Sequence, residues 1–520
     1  MTLSMADGTM ANTKIEELRA KVRKALEGGS GSARARHVGA GKLLVRDRLK
    51  QLFDDDFDFE DGLLAGVDRD LPSDAIVTCV GKVHGRDVAV IANDMTVKAG
   101  SWGHTTFLKL TRMQELAKET GIPLVYLVDS AGARVDEQAE SYLGRRAWGN
   151  IFYNQVVTSG VVPQVCALFG PSPAGAAYIP ALCDLTIMVD KQATAMLGSP
   201  RMAKVTIGEE VSEEELGGAR MHCSVSGLGD VLVDSDLEAI TKVRDYLSYM
   251  PSLWSEKPPR AEGRPPKALP KPLEDIIPTN QNVPYDVKLL IDGIVDEGSF
   301  FEVKALFAPE IVTGFARLDG MPVGVLANNS KVKGGVLFVD SSDKATRFIW
   351  ICNAFNIPLL FLQDVSGYMI GSKMERAGII RHGAKLLSAV CESTVPRISV
   401  VVRKGYGGGY VAMSGAATHP DALLALPTGM AGLVGPEAAV NALYAKQVVA
   451  MPEAERDEFV RTKRDEYARD IGVLGMAADR FHVEAVVEPG RLRDELIARF
   501  RIYSRRESKV IARRSAVHQV

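Results

Sequence analysis

Apolar residues in this chain fall into short continuous runs, separated by longer stretches in which they recur every third or fourth position. "DVAVIAND" (87–94) is such a run, and "TTFLKLTRMQELAKET" (105–120) has the spacing of an amphipathic helix. "IPLVYLVDS" (122–130) is a second strand-like run, "GRRAWGNIFYNQVVTS" (144–159) a second helix and "VPQVCALFG" (162–170) a third strand. Apolar strands that do not alternate with polar residues predict a parallel sheet covered by helices on both faces, an α/β fold. In such sheets ligands bind at the loops leaving the strand ends.

The pattern occurs twice. "IVTCVGKVHGRDVAVIAND" (76–94) is similar to "IVTGFARLDGMPVGVLANN" (311–329), and "ETGIPLVYLVDSAG" (119–132) to "AFNIPLLFLQDVSG" (354–367). Ile76 and Ile311, Asn93 and Asn328, and Gly132 and Gly367 are each 235 residues apart; Gly175 and Gly408 are 233 apart. A period of that length is too long for a solenoid and predicts two copies of one domain. Residues 251–286 are dense in proline and polar side chains, which predicts a linker at 261–282 between domains at 14–260 and 283–510.

Composition narrows the function classes. The 520 residues are 46% hydrophobic with a net charge of −3, a globular balance with no basic signature for nucleic acid. No run of about 18 apolar residues predicts a membrane span, and "MTLSMADGTMANTK" (1–14) lacks a secretory pattern. The six cysteines form no CxxC pair, so free thiols in a reducing, cytoplasmic setting are expected rather than a metal centre. "FDDDFDFEDG" (53–62) lacks the spacing of a calcium loop and reads as a solvated turn.

Each copy carries a glycine-rich stretch where a strand ends, "GPSPAGAAY" (170–178) and "GYGGGY" (405–410). Neither has the spacing of a phosphate-binding loop. "GPSPA" is one residue short of a nucleophile elbow centred on Ser172, with no suitably placed histidine in the same half. A third reading is an oxyanion hole, in which small residues opening a helix expose adjacent backbone N–H groups. Tight helix–sheet packing would also require glycine, but its recurrence at equivalent places in both copies favours the oxyanion reading.

The chain resembles the β subunit, the carboxyltransferase component, of biotin-dependent acyl-CoA carboxylases. The resemblance spans about 14–515 and rests jointly on "ARARHVGAGKLLVRDRL" (33–49), "VDSAGAR" (128–134), "IFYNQ" (151–155), "EEVSEEELGGARMH" (209–222), "GIIRHGAKLL" (378–387), "RKGYGGGY" (403–410) and "GPEAAV" (435–440). It implies two tandem crotonase-like domains. It further implies transfer of a carboxyl group from carboxybiotin, on a carrier protein, to the alpha or vinylogous gamma carbon of an acyl-CoA, with two enolate oxyanions held by backbone N–H groups.

By position, the resemblance implies Ala174 and Gly175 at the acyl-CoA thioester, assisted by Gly132 and Ala133, and Gly408 and Gly409 at the biotin ureido oxygen. Relatives carry Gly-Gly where this chain has Ala174–Gly175; an alanine there still donates its N–H and is expected at an ordinary φ. Val411 stands where propionyl-type members carry Asp, implying a more apolar acyl pocket that takes longer or branched groups. Arg134 is a candidate for a CoA phosphate or a solvated side chain. His382 is read as a packing or hydrogen-bonding residue near the second hole, and 501–514 as an amphipathic helix.

No biotin-acceptor lysine in a Met-Lys-Met setting and no ATP-grasp signature is present. The resemblance therefore implies a separate biotin carboxylase and biotinylated carrier, no metal in this chain, and a homohexamer, a trimer of dimers with shared active sites. The alternatives are a decarboxylase or transcarboxylase subunit of the same architecture, and a biotin-independent crotonase-type enzyme. The latter needs a carboxylate near the first hole, for which "GAAYIPALCD" offers only Asp184.

Overall fold

A computed structural model describes residues 3–144 and 147–506. The chain divides into two compact units between Glu256 and Lys257. The first is built on β1 (Phe59–Asp61), β2 (Ile76–Val83), β3 (Arg86–Asn93), β4 (Leu124–Val128), β5 (Gln164–Leu168), β6 (Pro171–Pro173), β7 (Leu185–Val189), β8 (Thr194–Met196) and β9 (Val231–Val233). Its sheet runs β1-β2-β3-β4-β5-β7-β9, and β6 pairs with β8 off that sheet. The β1–β2 and β2–β3 pairs are antiparallel and the rest parallel.

The second unit repeats this order with β10 (Phe301–Val303), β11 (Ile311–Leu318), β12 (Met321–Asn328), β13 (Leu359–Val365), β14 (Arg397–Tyr406), β15 (Ala422–Ala425), β16 (Met430–Gly432) and β17 (Ala485–Val486). Its sheet runs β10-β11-β12-β13-β14-β15-β17, with β16 pairing the end of β14. Registers repeat as well: Ile76 faces Asn93 across the first hairpin, and Ile311 faces Asn328 across the second. β14 thus combines in one strand the roles of β5 and β6.

Every residue of β4 and of β13 is buried. Covered on both faces, these strands need apolar side chains at successive positions, hence the continuous runs in the sequence. The helices His104–Thr120 and Val339–Ala354 lie at matching places and each buries a lysine. Lys109 Nζ donates to the carbonyls of Gly62, Ser73 and Ile76, and Lys344 Nζ to those of Lys304, Phe307 and Ala308. Burial pushes Lys109 down to about 8 and Lys344 down to about 7.

The proline-rich stretch expected as a linker belongs to the second unit. Ala261 N–H donates to Gly320 O, Arg264 N–H to Asp296 and Lys267 N–H to Asp292 O, while Leu273 and Ile277 enter that unit's core. Proline removed donors that this path does not use, and the remaining N–H groups tie it down. The C-terminal helix spans Leu492–Tyr503, and residues 507–514 of the expected amphipathic helix lie outside the described residues. Among the described residues no helix is long and apolar enough to cross a membrane.

Candidate active site

Both glycine stretches open a short helix where the chain leaves the main sheet. In the first unit β6 ends at Pro173, which caps Ala174–Ala177; in the second, β14 ends at Tyr406, which caps Gly407–Ala412. The first N–H groups of a helix have no intrahelical acceptor, and here neither cap residue's side chain accepts from them. These are donors of the kind that stabilise a developing oxyanion.

The backbone follows the 233-residue register of the repeat at these loops. Ala174 has φ 53° and Gly407 φ 55°, and each is the first residue of its helix. Ala174 therefore matches Gly407, and Gly175 matches Gly408; Ala174–Gly175 and Gly408–Gly409 are offset by one. The expectation of an ordinary φ at Ala174 is overturned: it holds the left-handed conformation that favours glycine.

The three glycines 407–409 answer to different constraints. Gly407 needs its positive φ, and a Cβ there would lie 3.0 Å from Leu433 O. A Cβ on Gly409 would come within 2.8 Å of Gly367 Cα. Gly408 is exposed, and a Cβ would meet only the Tyr368 ring at 3.7 Å, an ordinary contact. Nothing within the unit demands glycine at 408; a flat group laid against its backbone would. Tyr406 and Tyr410, which bound the run, have local roles: the Tyr406 hydroxyl donates to Gln281 Oε1 at 2.6 Å, and that of Tyr410 accepts from Ala416 N–H at 3.0 Å. Burial pushes Tyr406 up to about 12.

At the first loop the Trp148 ring occupies the space a Cβ on Gly175 would take, 1.9 Å away. Trp148 meets Phe152 edge-on, with centroids 5.0 Å apart, and Phe152 meets Tyr178 at 5.8 Å, giving this loop an aromatic wall. Gly132 N–H donates to Ser130 Oγ at 3.0 Å and its carbonyl accepts from Trp102 N–H, so Gly132 itself is already engaged. Ala133 bridges to Trp102 through its neighbours, which turns its own N–H away from Trp102.

Arg134 is neither solvated nor open to a phosphate. Its guanidinium is buried against Asp74 at 2.9 Å, Glu137 at 3.1 Å and Ser101 O at 2.8 Å. Ser172 is buried and its hydroxyl donates to Ala176 O at 2.9 Å, so it braces the loop. Asp184 accepts from Gln164 N–H at 2.7 Å and staples β5 at the strand's start, as Asp421 does for Arg397 N–H at 2.8 Å in the second unit. Val411 is half-buried on the helix that Gly407 opens.

Two supports were not singled out from the sequence. Asp129 holds Lys42 at 2.9 Å and Arg48 at 3.1 Å; its counterpart Asp364 holds Arg403 at 2.7 Å. They stand 235 residues apart at the C-terminal ends of β4 and β13, and a search of the repeat for paired acidic residues would have found them. Among the described residues no His, Cys, Asp and Glu are grouped as a metal ion would require.

Comparison with known proteins extends this description. The carboxyl transferase domain family matches residues 36–517. The chain is 55% identical over 495 residues to the uncharacterized carboxylase YngE of Bacillus subtilis (strain 168), covering 95% of this chain and 97% of that one. It is 41% identical over 508 residues to the carboxyltransferase subunit of propionyl-CoA carboxylase from Haloferax mediterranei, covering 95% and 97%. The hexameric transcarboxylase 12S, solved with methylmalonyl-coenzyme A and methylmalonic acid bound, superimposes with a TM-score of 0.90 at 34% identity, covering 97% of this chain and 98% of that one. The doubled sheet is thus a pair of tandem crotonase-like domains, and the chain belongs to the carboxyl transferase family, the carboxyltransferase enzymes of acyl-CoA carboxylases.

Proposed function

We propose that this chain transfers a carboxyl group from carboxybiotin, borne by a separate carrier protein, to the alpha or vinylogous gamma carbon of an acyl-CoA. Carboxybiotin supplies the carboxyl group and, through its ureido ring, accepts the substrate's proton. The chain's own part is electrostatic. The backbone N–H groups at Ala174–Gly175 stabilise the thioester oxygen as charge develops on it, with the Ala133 N–H assisting, and those at Gly408–Gly409 face the ureido oxygen. Fixed donors of this kind require no reorganisation during the reaction, and each contributes roughly 3 kcal/mol to the barrier reduction.

The observation that carries this reading is Gly408: an exposed glycine at the start of a helix, free of any packing reason to lack a side chain. The aromatic wall at Gly175 suits an acyl chain. A separate biotin carboxylase and carrier would act with this chain, and assembly would be the homohexamer of a trimer of dimers, with active sites shared at the dimer interface, in a cytoplasmic setting.

The test is carboxylation by the purified chain with a biotinylated carrier, biotin carboxylase and labelled bicarbonate, across acetyl-, propionyl-, butyryl-, methylcrotonyl- and long-chain acyl-CoA. Label in one or more products is expected. The likeness to transcarboxylase 12S supports a second reading, in which carboxylated acyl-CoA is the donor. No label from bicarbonate, but transfer from methylmalonyl-CoA, would favour it over the first.

A further inference from the structure

The two loops share a backbone but not their surroundings. Where the first unit carries Leu108, Ala133, Ala147, Trp148 and Ile151, the equivalent positions of the second carry Asp343, Tyr368, Arg381, His382 and Lys385. Asp343, Arg381, His382 and Lys385 form one connected group. His382 Nδ1 lies 2.7 Å from Asp343 Oδ1, Lys385 Nζ lies 2.7 Å from the same oxygen, and Arg381 Nη2 lies 3.3 Å from His382 Nε2.

The donors decide the arrangement. A guanidinium only donates, so His382 Nε2 accepts from Arg381. The ring proton then sits on Nδ1 and is donated to Asp343. Asp343 fixes the imidazole, Lys385 balances the carboxylate, and the imidazole aims the guanidinium. Arg381 is exposed and has no other polar partner among the described residues. A guanidinium with most of its donors open, held by a buttressed histidine, is built to take an anion.

The group adjoins the second loop. The Tyr368 ring lies 3.7 Å from where a Cβ on Gly408 would stand, and 3.2 Å from the corresponding point on Gly383, the residue after His382. The helix Ile379–Glu392, which carries Arg381, His382 and Lys385, packs on the helix Gly407–Ala412. Burial raises the Tyr368 phenol well above its ordinary range, which keeps it neutral beside the loop.

We propose that Arg381, aimed by the Asp343–His382 pair, binds the carboxylate of the carboxylated ligand at the second loop. This rests on the function proposed above and adds to it a binding residue, Arg381, and a positioning residue, His382. The loop's N–H groups then recognise the ring and Arg381 recognises the group to be transferred, so an uncarboxylated carrier is held less tightly than a loaded one.

The experiment uses the full chain with its carrier and biotin carboxylase. Initial rates are measured as a function of carrier and of acyl-CoA for the native chain, Arg381→Ala, Arg381→Lys and His382→Gln, with thermal midpoints as folding controls. Arg381→Ala is expected to raise KM for loaded carrier about 10- to 100-fold while KM for acyl-CoA stays within about twofold. Arg381→Lys should recover part of that loss, because it keeps the charge without the fork. His382→Gln should move the same KM by a smaller factor at an unchanged thermal midpoint. In parallel, calorimetry with loaded and unloaded carrier should show a preference for the loaded form that Arg381→Ala abolishes.

A raised KM for acyl-CoA alone would assign Arg381 to a CoA phosphate and overturn the proposal. So would native rates and native discrimination between loaded and unloaded carrier in both Arg381 variants. A native chain that neither binds biotinylated carrier nor transfers label would instead remove the biotin reading itself, and this inference with it.

Discussion

Ala174 and Gly407 occupy the same place in the two halves of the chain, with φ of 53° and 55°, and only one of them is a glycine. A Cβ at that conformation costs on the order of 1 kcal/mol. Ala174→Gly is therefore expected to stabilise the first unit by about 1 kcal/mol. Gly407→Ala should destabilise the second by more, because its new Cβ would also press on Leu433 O at 3.0 Å. Urea unfolding midpoints at unchanged slope would measure both.

Gly408 and Gly409 separate function from packing. Gly408→Ala adds a methyl group where there is room, and should leave stability within about 0.5 kcal/mol of native. Its carboxyl-transfer rate should fall on the order of 100-fold, because the methyl group holds a flat ligand off the N–H groups. Gly409→Ala drives a Cβ to 2.8 Å from Gly367 Cα and should lower stability itself. An active Gly408→Ala enzyme would contradict the assignment of this loop.

Much of this was legible in the sequence because a buried parallel sheet writes itself as apolar runs, and duplication wrote it twice. The strand ending at Asn93 recurs at Asn328 at the 235-residue offset read from the sequence, and each closes an antiparallel hairpin of the same register. Backbone conformation was not legible: the 233-residue offset sets Ala174 opposite Gly407, but alanine reads as an ordinary residue and does not announce a left-handed φ. Arg134 misled for a related reason. Its partner Asp74 lies 60 residues earlier, in a turn of left-handed residues that no periodicity announces. The linker misled through composition, since proline marks irregular chain whether it is free or packed.

Arg134 itself gives a prediction opposite to that of a phosphate-binding residue. Arg134→Ala leaves Asp74 buried without its close cation, at a cost of about 3–5 kcal/mol. The thermal midpoint should fall, while KM for acyl-CoA measured on folded enzyme stays unchanged. A selective rise in that KM at native stability would restore the phosphate role.

The buried lysines make stability depend on pH in the alkaline direction. Lys344 has an ordinary value of 10.5 when unfolded and about 7 when buried. Between those values the unfolded chain binds the extra proton, so stability from this group rises with pH, by at most about 1.4 kcal/mol per pH unit. It is fully present above 10.5 and lost as pH falls to about 7. The native chain should therefore gain stability over Lys344→Met from pH 7 to 10, read as a widening gap in unfolding midpoints. A gap that stays flat up to pH 10 would show that the carbonyls of Lys304, Phe307 and Ala308 outweigh burial and hold the ammonium charged.

Val411 sets the expected acyl preference. It is half-buried two residues beyond Gly409, on the helix whose N-terminus forms the second loop. If this position lines the acyl pocket, as the family resemblance implies, valine offers an apolar wall. Each further methylene buried against it stabilises the bound acyl chain by about 0.8 kcal/mol. Two methylenes then give about tenfold in kcat/KM. Val411→Asp places a carboxylate there, which must stay hydrated and so excludes the longer chain. The ratio of kcat/KM for a longer acyl-CoA to that for propionyl-CoA should therefore fall about tenfold in Val411→Asp, with little change for propionyl-CoA. An equal loss for every acyl-CoA would mean that the carboxylate disturbs the loop rather than the pocket. A native enzyme already restricted to propionyl-CoA would remove Val411 as a determinant of chain length.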